Sequence, residues 1–494
     1  MMWRRFCVLA TALSATGCMV GPDYHRPAAP IPVHYKELSG WVPAQPADMA
    51  PKGAWWTIYN DPELNQLEAR VAISNQNVKA YAAQYAEAQA VVQEARAQLF
   101  PVLGATAGVT RSSAGGSGTS GITSTTGTTL LGSSTHGRTF TDYSLEGTAS
   151  WDLDVWGRIR RQVQSDVAAA QVSAADLQNA ELSAQGTLAT DYVELRYQDS
   201  LGDLLRATVK AYTEALRITR DQVQAGTTSP ADQAAAETQL ASAQASLVNV
   251  AESRGQYEHA IAVLAGLTPA DLSIPHTPLP AAVPVTPPGI PSTLLQRRPD
   301  IAAAERTMDE ENALIGVQVA AYYPDISLSA DFGWEGGPIG MLISAANRVW
   351  SVGANASETL FEGGERSAAV QAARAAYDAS VATYRQTVLS ALQQVEDELV
   401  ALHVLQDQSK AEAYAVQTAQ RSVSIALNEY EAGTQAYTTV ITEQTALFTD
   451  QQAALSVQEQ RLEASVALVQ ALGGGWAAGD LPSKNGLQSR LPFL

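Results

Sequence analysis

The residues of this chain that could do chemistry are few and poorly placed for catalysis. Its six histidines, at 25, 34, 136, 259, 276 and 403, show no spacing that would ligate a metal. Ser, His and Asp occur together only as scattered residues, with no nucleophile elbow and no phosphate-binding loop. Six methionines and a single cysteine outside the N-terminal apolar run do not make a soft-metal relay. The carboxylate run Glu396-Asp397-Glu398 reads as a solvated helix face or the lining of a water-filled tunnel. The expectation is therefore no enzyme, no cofactor and no metal. One residue stands apart: Cys18 follows Ala15-Thr16-Gly17, small residues of the kind found before a lipidated cysteine. Arg4 and Arg5 followed by the apolar run Phe6 to Ala15 mark residues 1–17 as a signal peptide. Acyl chains on Cys18 would anchor the mature chain, and Met19 rather than Asp in the next position points to the outer membrane.

Composition narrows the partners. With 50 acidic against 31 basic residues the formal charge is −19, and there is no basic cluster, which excludes nucleic acid as a partner. A water-filled passage through such a chain would favour cations. After the signal peptide no apolar run approaches the length of a transmembrane helix.

The elements that must position these residues come in two copies. Ile218-Thr-Arg-Asp-Gln-Val-Gln-Ala-Gly226-Thr227 answers Ile425-Ala-Leu-Asn-Glu-Tyr-Glu-Ala-Gly433-Thr434, 207 positions on. The same offset pairs Leu182-Ser183-Ala184 with Leu389-Ser390-Ala391, Gly157 with Gly364 and Arg254 with Arg461. Upstream the offset is 223, pairing Asn77-Val78 with Asp300-Ile301 and Pro101 with Pro324. The difference falls in the Gly/Ser/Thr-rich stretch 111–138, a longer loop in the first copy. The chain is a duplicated unit.

Taken in order, residues 18–61 form the anchor and an extended strap, with prolines at 22, 27, 30, 32, 43, 46 and 51. Trp55 and Trp56 read as core anchors. The first repeat, 62–268, opens with a helix over about 62–98, Asp61 as its cap and Pro62 at its first position. Alternation then predicts a β-hairpin, about 102–111 and 142–154. Leu103, Ala105, Ala107 and Val109 alternate with small or polar residues, and Tyr143, Leu145, Gly147, Ala149, Trp151 and Leu153 do the same in the second strand. A helical hairpin follows over 157–265, with no proline from Gly157 to Ala225. A linker with nine prolines between 269 and 299 leads to the second repeat, 299–473. That repeat has strands at about 325–334 and 349–360 and a helical hairpin at 364–472. There Val370, Ala373, Tyr377, Val381, Tyr384, Val388, Leu392, Val395, Leu399 and Leu402 keep a coiled-coil rhythm. The tail, 474–494, is expected to be partly disordered. The fold class is an α+β membrane protein, a duplicated unit of two β-hairpins plus long coiled-coil helical hairpins. Strands with one apolar and one polar face suit a membrane barrel. Four of them are too few to close one, so the chain must associate with copies of itself.

Cys18-Met-Val-Gly-Pro-Asp-Tyr, Trp55-Trp56 with Asp61-Pro62, Arg297-Arg298-Pro299-Asp300-Ile301 and the paired Ala-Gly-Thr turns resemble the outer membrane factor family of TolC-like channels, in its NodT-type lipoprotein branch. The resemblance implies a homotrimer with a twelve-stranded barrel above a periplasmic α-barrel and an equatorial collar. It also implies outer-membrane lipid around the barrel, a periplasmic adaptor and an inner-membrane pump as partners, and export of drugs or other small molecules. Peptide or protein export with an ATP-driven pump is the alternative, and a structural envelope lipoprotein a third reading. By the same resemblance the gate lies at the hairpin tips, and Gly226, Thr227, Ser229, Gly433 and Thr434 meet the adaptor. Tyr430 matches the family's tyrosine three residues before the turn glycine, and Asp232 matches an outer-hairpin carboxylate. Thr439 and Thr442 stand where relatives carry acidic residues, and Gln435 where some carry a basic one. The closed gate is thus expected to rest on hydrogen bonds and packing around Asp232, Gln435 and Tyr430, with Glu443 as a neighbouring carboxylate ring.

Overall fold

A computed structural model describes residues 19–37, 53–114, 138–284 and 297–489. Cys18 and most of the first copy's long loop lie outside the described residues. The first repeat contains α1 (Pro62–Ser74), α2 (Gln76–Ala97), β1 (Val102–Ala114), β2 (Arg138–Leu153), α3 (Arg158–Gln224) and α4 (Pro230–Leu264). The second contains α5 (Pro299–Ala320), β3 (Asp325–Gly336), β4 (Arg348–Ser357), α6 (Glu365–Glu431) and α7 (Tyr437–Ala471), and a short α8 (Lys484–Gln488) follows. The duplication holds to the residue. Helices α3 and α6 both have 67 residues and α4 and α7 both have 35, each pair offset by 207. Helices α2 and α5 both have 22, offset by 223. At about 1.5 Å per residue α3 and α6 each run roughly 100 Å. Among the described residues no helix is long and apolar enough to cross a membrane.

Three expectations need correction. The helix expected over 62–98 is broken at Asn75, whose backbone is extended (φ −60, ψ 126). The Asn75 carboxamide oxygen accepts the amides of Asn77 and Val78, and its nitrogen donates to the Leu264 carbonyl at the end of α4. A side chain that satisfies the new helix start and an old helix end makes the break cheaper than continuity. The strands run past their expected ends on the loop side, because the ladder continues through polar residues such as Ser112 and Thr139 that carry no apolar alternation. Strand β4 stops at Ser357, opposite Asp325, because β3 offers no partner beyond it. The tail packs onto the helices as far as α8. Leu487 is buried with Val92, Ala95, Val163 and Val167, and Trp476 with Ala175, Ala302 and Ala303.

The collar is built where helices from both repeats meet. Trp55 and Trp56 join Leu64, Leu67, Val71, Leu188, Leu195 and Ile261, and the Trp55 indole donates to Gln185. A second core holds Tyr35 from the strap with Ile301, Met308, Tyr384, Val388, Val395 and Leu399, the apolar seam expected along α6. The strap runs along these helices. Arg161 donates to the carbonyls of Val20 and Gly21, Tyr24 reaches the Glu305 carbonyl, and Arg26 donates to the Tyr384 hydroxyl. Glu396, read from sequence as solvated helix face or tunnel lining, instead accepts the backbone amides of Lys36 and Glu37. Arg298 explains its motif: it donates to the Ala471 carbonyl at the end of α7 and pairs with Asp300 in the first turn of α5.

Glu68 on α1 is fully buried, and neither carboxyl oxygen has a hydrogen-bond partner among the described residues. Burial pushes its pKa up to about 9. The folded chain therefore holds a proton that the unfolded chain releases near pH 4.5, so this site costs stability increasingly as pH rises toward 9. Glu68→Met should raise the thermal unfolding midpoint, by about 1–3 kcal/mol in free energy, and by more at pH 8 than at pH 5.

Candidate functional site: a two-faced sheet above paired helical tips

The four strands form one antiparallel sheet in chain order, β1-β2-β3-β4. Residues opposite one another share a face, and faces alternate along each strand. Leu103, Ala149, Ala330 and Val352 therefore form one row, Ala105, Gly147, Phe332 and Trp350 the next, and Trp151, Leu328 and Ala354 another. Among the described residues nothing covers this apolar face: Leu103 is 78%, Trp350 68% and Val352 76% exposed. Strands of 10 to 16 residues at about 3.3 Å each are long enough to cross a tilted hydrocarbon layer. The other face carries Thr106, Thr148, Ser150, Ser329 and Asn355. Where strands meet helices, Trp156 stacks on Tyr323 with ring centroids 4.7 Å apart, and Phe100, Tyr322, Leu360 and Phe361 are exposed. Aromatic side chains of this kind mark a membrane–water boundary.

At the opposite end of the helices are the tips. Gly226 (φ +74) and Gly433 (φ +72) adopt the left-handed conformation that ends α3 and α6. The residue after each caps the helix it leaves. Thr227 donates its amide and hydroxyl to the Gln222 carbonyl, and Thr434 does the same to Glu429. This is the physical content of the repeated Ala-Gly-Thr. Gly226, Thr227, Ser229, Gly433 and Thr434 are all exposed at the turns.

The tips then diverge. Ser229 caps α4, with Pro230 at its first position, and the Asp232 carboxylate accepts from the Thr228 hydroxyl and the Ser229 amide. In the second copy Ala436 supplies no side-chain cap to α7. There Thr439 donates to Gln435 at 3.3 Å and Thr442 to the Thr438 carbonyl, both within the helix start, while Glu443 is half-buried. Within one chain, Asp232 and Gln435 thus serve their own hairpins rather than each other. Tyr430 does cross between hairpins. Its hydroxyl donates to Gln222, and its ring lies 5.1 Å from Tyr437. Both rings are buried with Ala215, Leu216, Ala236, Ala426 and Val440. Tyr437 and Gln222 are the contacts that sequence reasoning missed. The signal available was a departure from the repeat, Tyr437 standing where the first copy has Pro230.

Higher on the helices, carboxylate oxygens of Glu194 on α3 and Glu459 and Glu463 on α7 lie within 4.8 Å of one another. Burial, reinforced by Glu194, pushes Glu459 up to about 9 and Glu463 to about 7. Hydrogen bonds to Glu194 from both groups join α3 to α7.

A sheet with one uncovered apolar face and one polar face, carried on helices far longer than a membrane is thick, defines a class: outer-membrane channel proteins with a helical extension below the barrel. The sequence profile described as "Outer membrane efflux protein" matches residues 67–267 and 290–474, and the chain belongs to that family. It is 29% identical over 472 residues, 94% of each chain, to the probable efflux pump outer membrane protein TtgC of Pseudomonas putida. It is also 29% identical over 432 residues, 85% of this chain and 87% of the relative, to the pyoverdine export outer membrane protein OpmQ of Pseudomonas aeruginosa. The solved outer-membrane channel OprN superposes with a TM-score of 0.83 at 28% identity, covering 93% of this chain and 100% of that one. The protein is an outer-membrane efflux channel that extends into the periplasm.

The unequal capping generates a prediction. Ala436→Ser should slow amide exchange in the first turn of α7, and Ser229→Ala should speed it in α4, each by the equivalent of about 0.5–2 kcal/mol. Hydrogen-exchange mass spectrometry of the two tip peptides reads both.

Proposed function

We propose that the chain is the passive outer-membrane conduit of a tripartite efflux system, working as a homotrimer. In this reading three sheets close a twelve-stranded barrel and three pairs of helical hairpins form the tunnel below it. A periplasmic adaptor docks on the exposed turns at Gly226, Thr227, Ser229, Gly433 and Thr434 and links the channel to an inner-membrane pump. The cargo is drugs or other small molecules. The observation that carries the reading is the sheet: one uncovered apolar face, one polar face and two open edges make sense only in a ring of copies set in lipid. The names of TtgC and OpmQ, each an efflux or export outer membrane protein, support the assignment to export.

Cys18 is the lipidated residue in this reading. Support comes from Met19, which packs against Gly157 at the foot of β2 and contacts Gln164, while the Val20 amide donates to the Trp156 carbonyl. Acyl chains on the preceding residue would then start level with the aromatic boundary.

The gate is the layer of Tyr430, Gln435, Thr439, Thr442 and Asp232 at the tips, with Tyr430 as its latch. The Tyr430 hydroxyl bond to Gln222 and the packing of Tyr430 and Tyr437 against Ala215, Leu216 and Ala236 tie the second hairpin to the first, so the uncapped second tip can swing only if they part. Tyr430→Ala should raise the conductance of purified channels in planar bilayers, and an unchanged conductance would remove Tyr430 from the gate. In cells, Ser229→Cys carrying a photo-crosslinker should capture the adaptor of a proton-driven pump. Capture of an ATP-driven exporter's adaptor would move the reading to secretion, and no capture at full expression would count against docking at the tips.

A further inference from the structure

On the lipid-facing side of the sheet, two positions break the apolar pattern with a cation. Arg348 on β4 stands in the row of Ala107, Leu145 and Trp334, and Arg111 on β1 stands opposite Thr141 on the same face. Both are exposed, and neither has a hydrogen-bond or ion-pair partner among the described residues. Their depth is alike. Arg111 lies nine residues past Val102, where β1 starts, and Arg348 nine before Ser357, where β4 ends. At about 3.3 Å per residue and a tilt of about 40° this is about 23 Å of height, against an apolar band about 25 Å tall. Beyond Arg111 the same face carries Ser113 and Thr139 in place of apolar side chains. Tyr143, in the row just below Arg111, and Trp334, in the row of Arg348, are aromatic residues of the kind found at such a boundary. Both guanidinium groups therefore stand at the outer rim of the hydrocarbon, level with headgroups.

Within one chain the two arginines occupy opposite edges of the sheet, and closing the ring brings them together. Strand β4 meets β1 of the next copy antiparallel, and side chains set opposite one another share a face. Arg348 can therefore lie only against a lipid-facing residue of that β1, which at this end means Val109, Arg111 or Ser113. Unpaired backbone is costly in lipid, so Ser357 must also find a partner no lower than Val102. Arg111 and Ser113 of the next copy satisfy both conditions, and Val109 does not. Either register sets two guanidinium groups from different copies side by side, directly opposite or on the diagonal.

We infer that each junction between copies carries a binding site for a phosphate group on a lipid headgroup of the outer leaflet, with Arg111 of one copy and Arg348 of the next sharing its oxygens. The inference rests on the trimeric channel reading above. Like charges in adjacent strands repel, and an anion held between them turns that repulsion into attraction. Each planar guanidinium can donate two parallel hydrogen bonds to a phosphate, which a lysine cannot. Position selects the occupant. The strand ends that carry the loops lie away from the periplasmic helices, and the site opens sideways into the membrane, so its phosphate must come on a lipid. A glycolipid with phosphorylated sugars fits.

The test is native mass spectrometry of the full-length channel, purified from outer membranes, stripped of lipid by detergent exchange and titrated with diphosphorylated lipid A. Lipid A should add to the trimer tightly, at most one per junction. Dephosphorylated lipid A should bind about tenfold or more weakly, and so should intact lipid A to a channel with Arg111→Gln and Arg348→Gln. If that double variant does not assemble, Arg348→Lys alone keeps the charge, loses the fork and should weaken binding severalfold. Trimers that bind the two forms of lipid A alike, or whose affinity survives the arginine substitutions, overturn the inference while leaving the channel reading intact. Displacement of lipid A by an equal concentration of inorganic phosphate would make this a free-anion site and overturn the lipid assignment. An unsubstituted protein that gives no trimer overturns both readings.

Discussion

Two unpaired strand edges govern this molecule. Strands β1 and β4 end the sheet on either side, and among the described residues nothing covers the apolar face beside them. In hydrocarbon each unpaired backbone group costs several kcal/mol, so the edges can persist only if another copy of the chain pairs with them. The long helices become intelligible from that constraint. Each hairpin of strands is followed by a helix of 67 residues and a return helix of 35, so both tips of one protomer hang at the same level. A ring of such protomers ends in a single plane of Ala-Gly-Thr turns. Equality of length is what the duplication preserved.

Polar chemistry is where the copies parted. In the first copy Arg196, only 2% exposed, donates to Tyr192, Asp199 and the Pro275 carbonyl, and stacks over the Tyr192 ring. Arg254 bonds Asp199 and the Ile274 carbonyl, and Asp199 accepts the Thr277 amide. Together they clamp the described part of the proline-rich linker to α3 and α4. The matching positions in the second copy are His403, Gln406 and Arg461, which have no such linker to hold. Arg298 does a comparable task there, tying the start of α5 to the end of α7. The collar is thus fixed by two different networks on one repeated scaffold, and the tips differ in the same manner, one capped and one free.

Much of this was legible in the sequence, for physical reasons that differ by element. The repeat offsets placed the helices because insertions within long packed helices are poorly tolerated, whereas the loop that differs in length lies between strands. Alternation placed the strand faces because every second residue meets lipid, and the register confirms that assignment across all four strands. The turns were readable because only glycine takes the left-handed conformation there without strain. What stayed hidden depends on contacts between distant segments. Glu396 binds the strap rather than solvent, the tail folds onto α2 and α3 through Leu487, and Tyr437 completes the latch with Tyr430. Asn75 breaks a helix that periodicity would continue, because its side chain serves two helix ends. Buried Glu68 left no trace in the pattern, since a carboxyl at an apolar position reads as a surface residue until its surroundings are seen.

The measurement that bears most directly on this account is native mass spectrometry of the protein extracted from outer membranes in mild detergent and never heated. If open edges compel assembly, the mature chain should appear as trimers with no folded monomer on dilution, and strand content should be lost when the trimer is dissociated. A stable monomer that keeps its strand content would mean that the edges are satisfied within one chain, and the barrel as described here would be wrong.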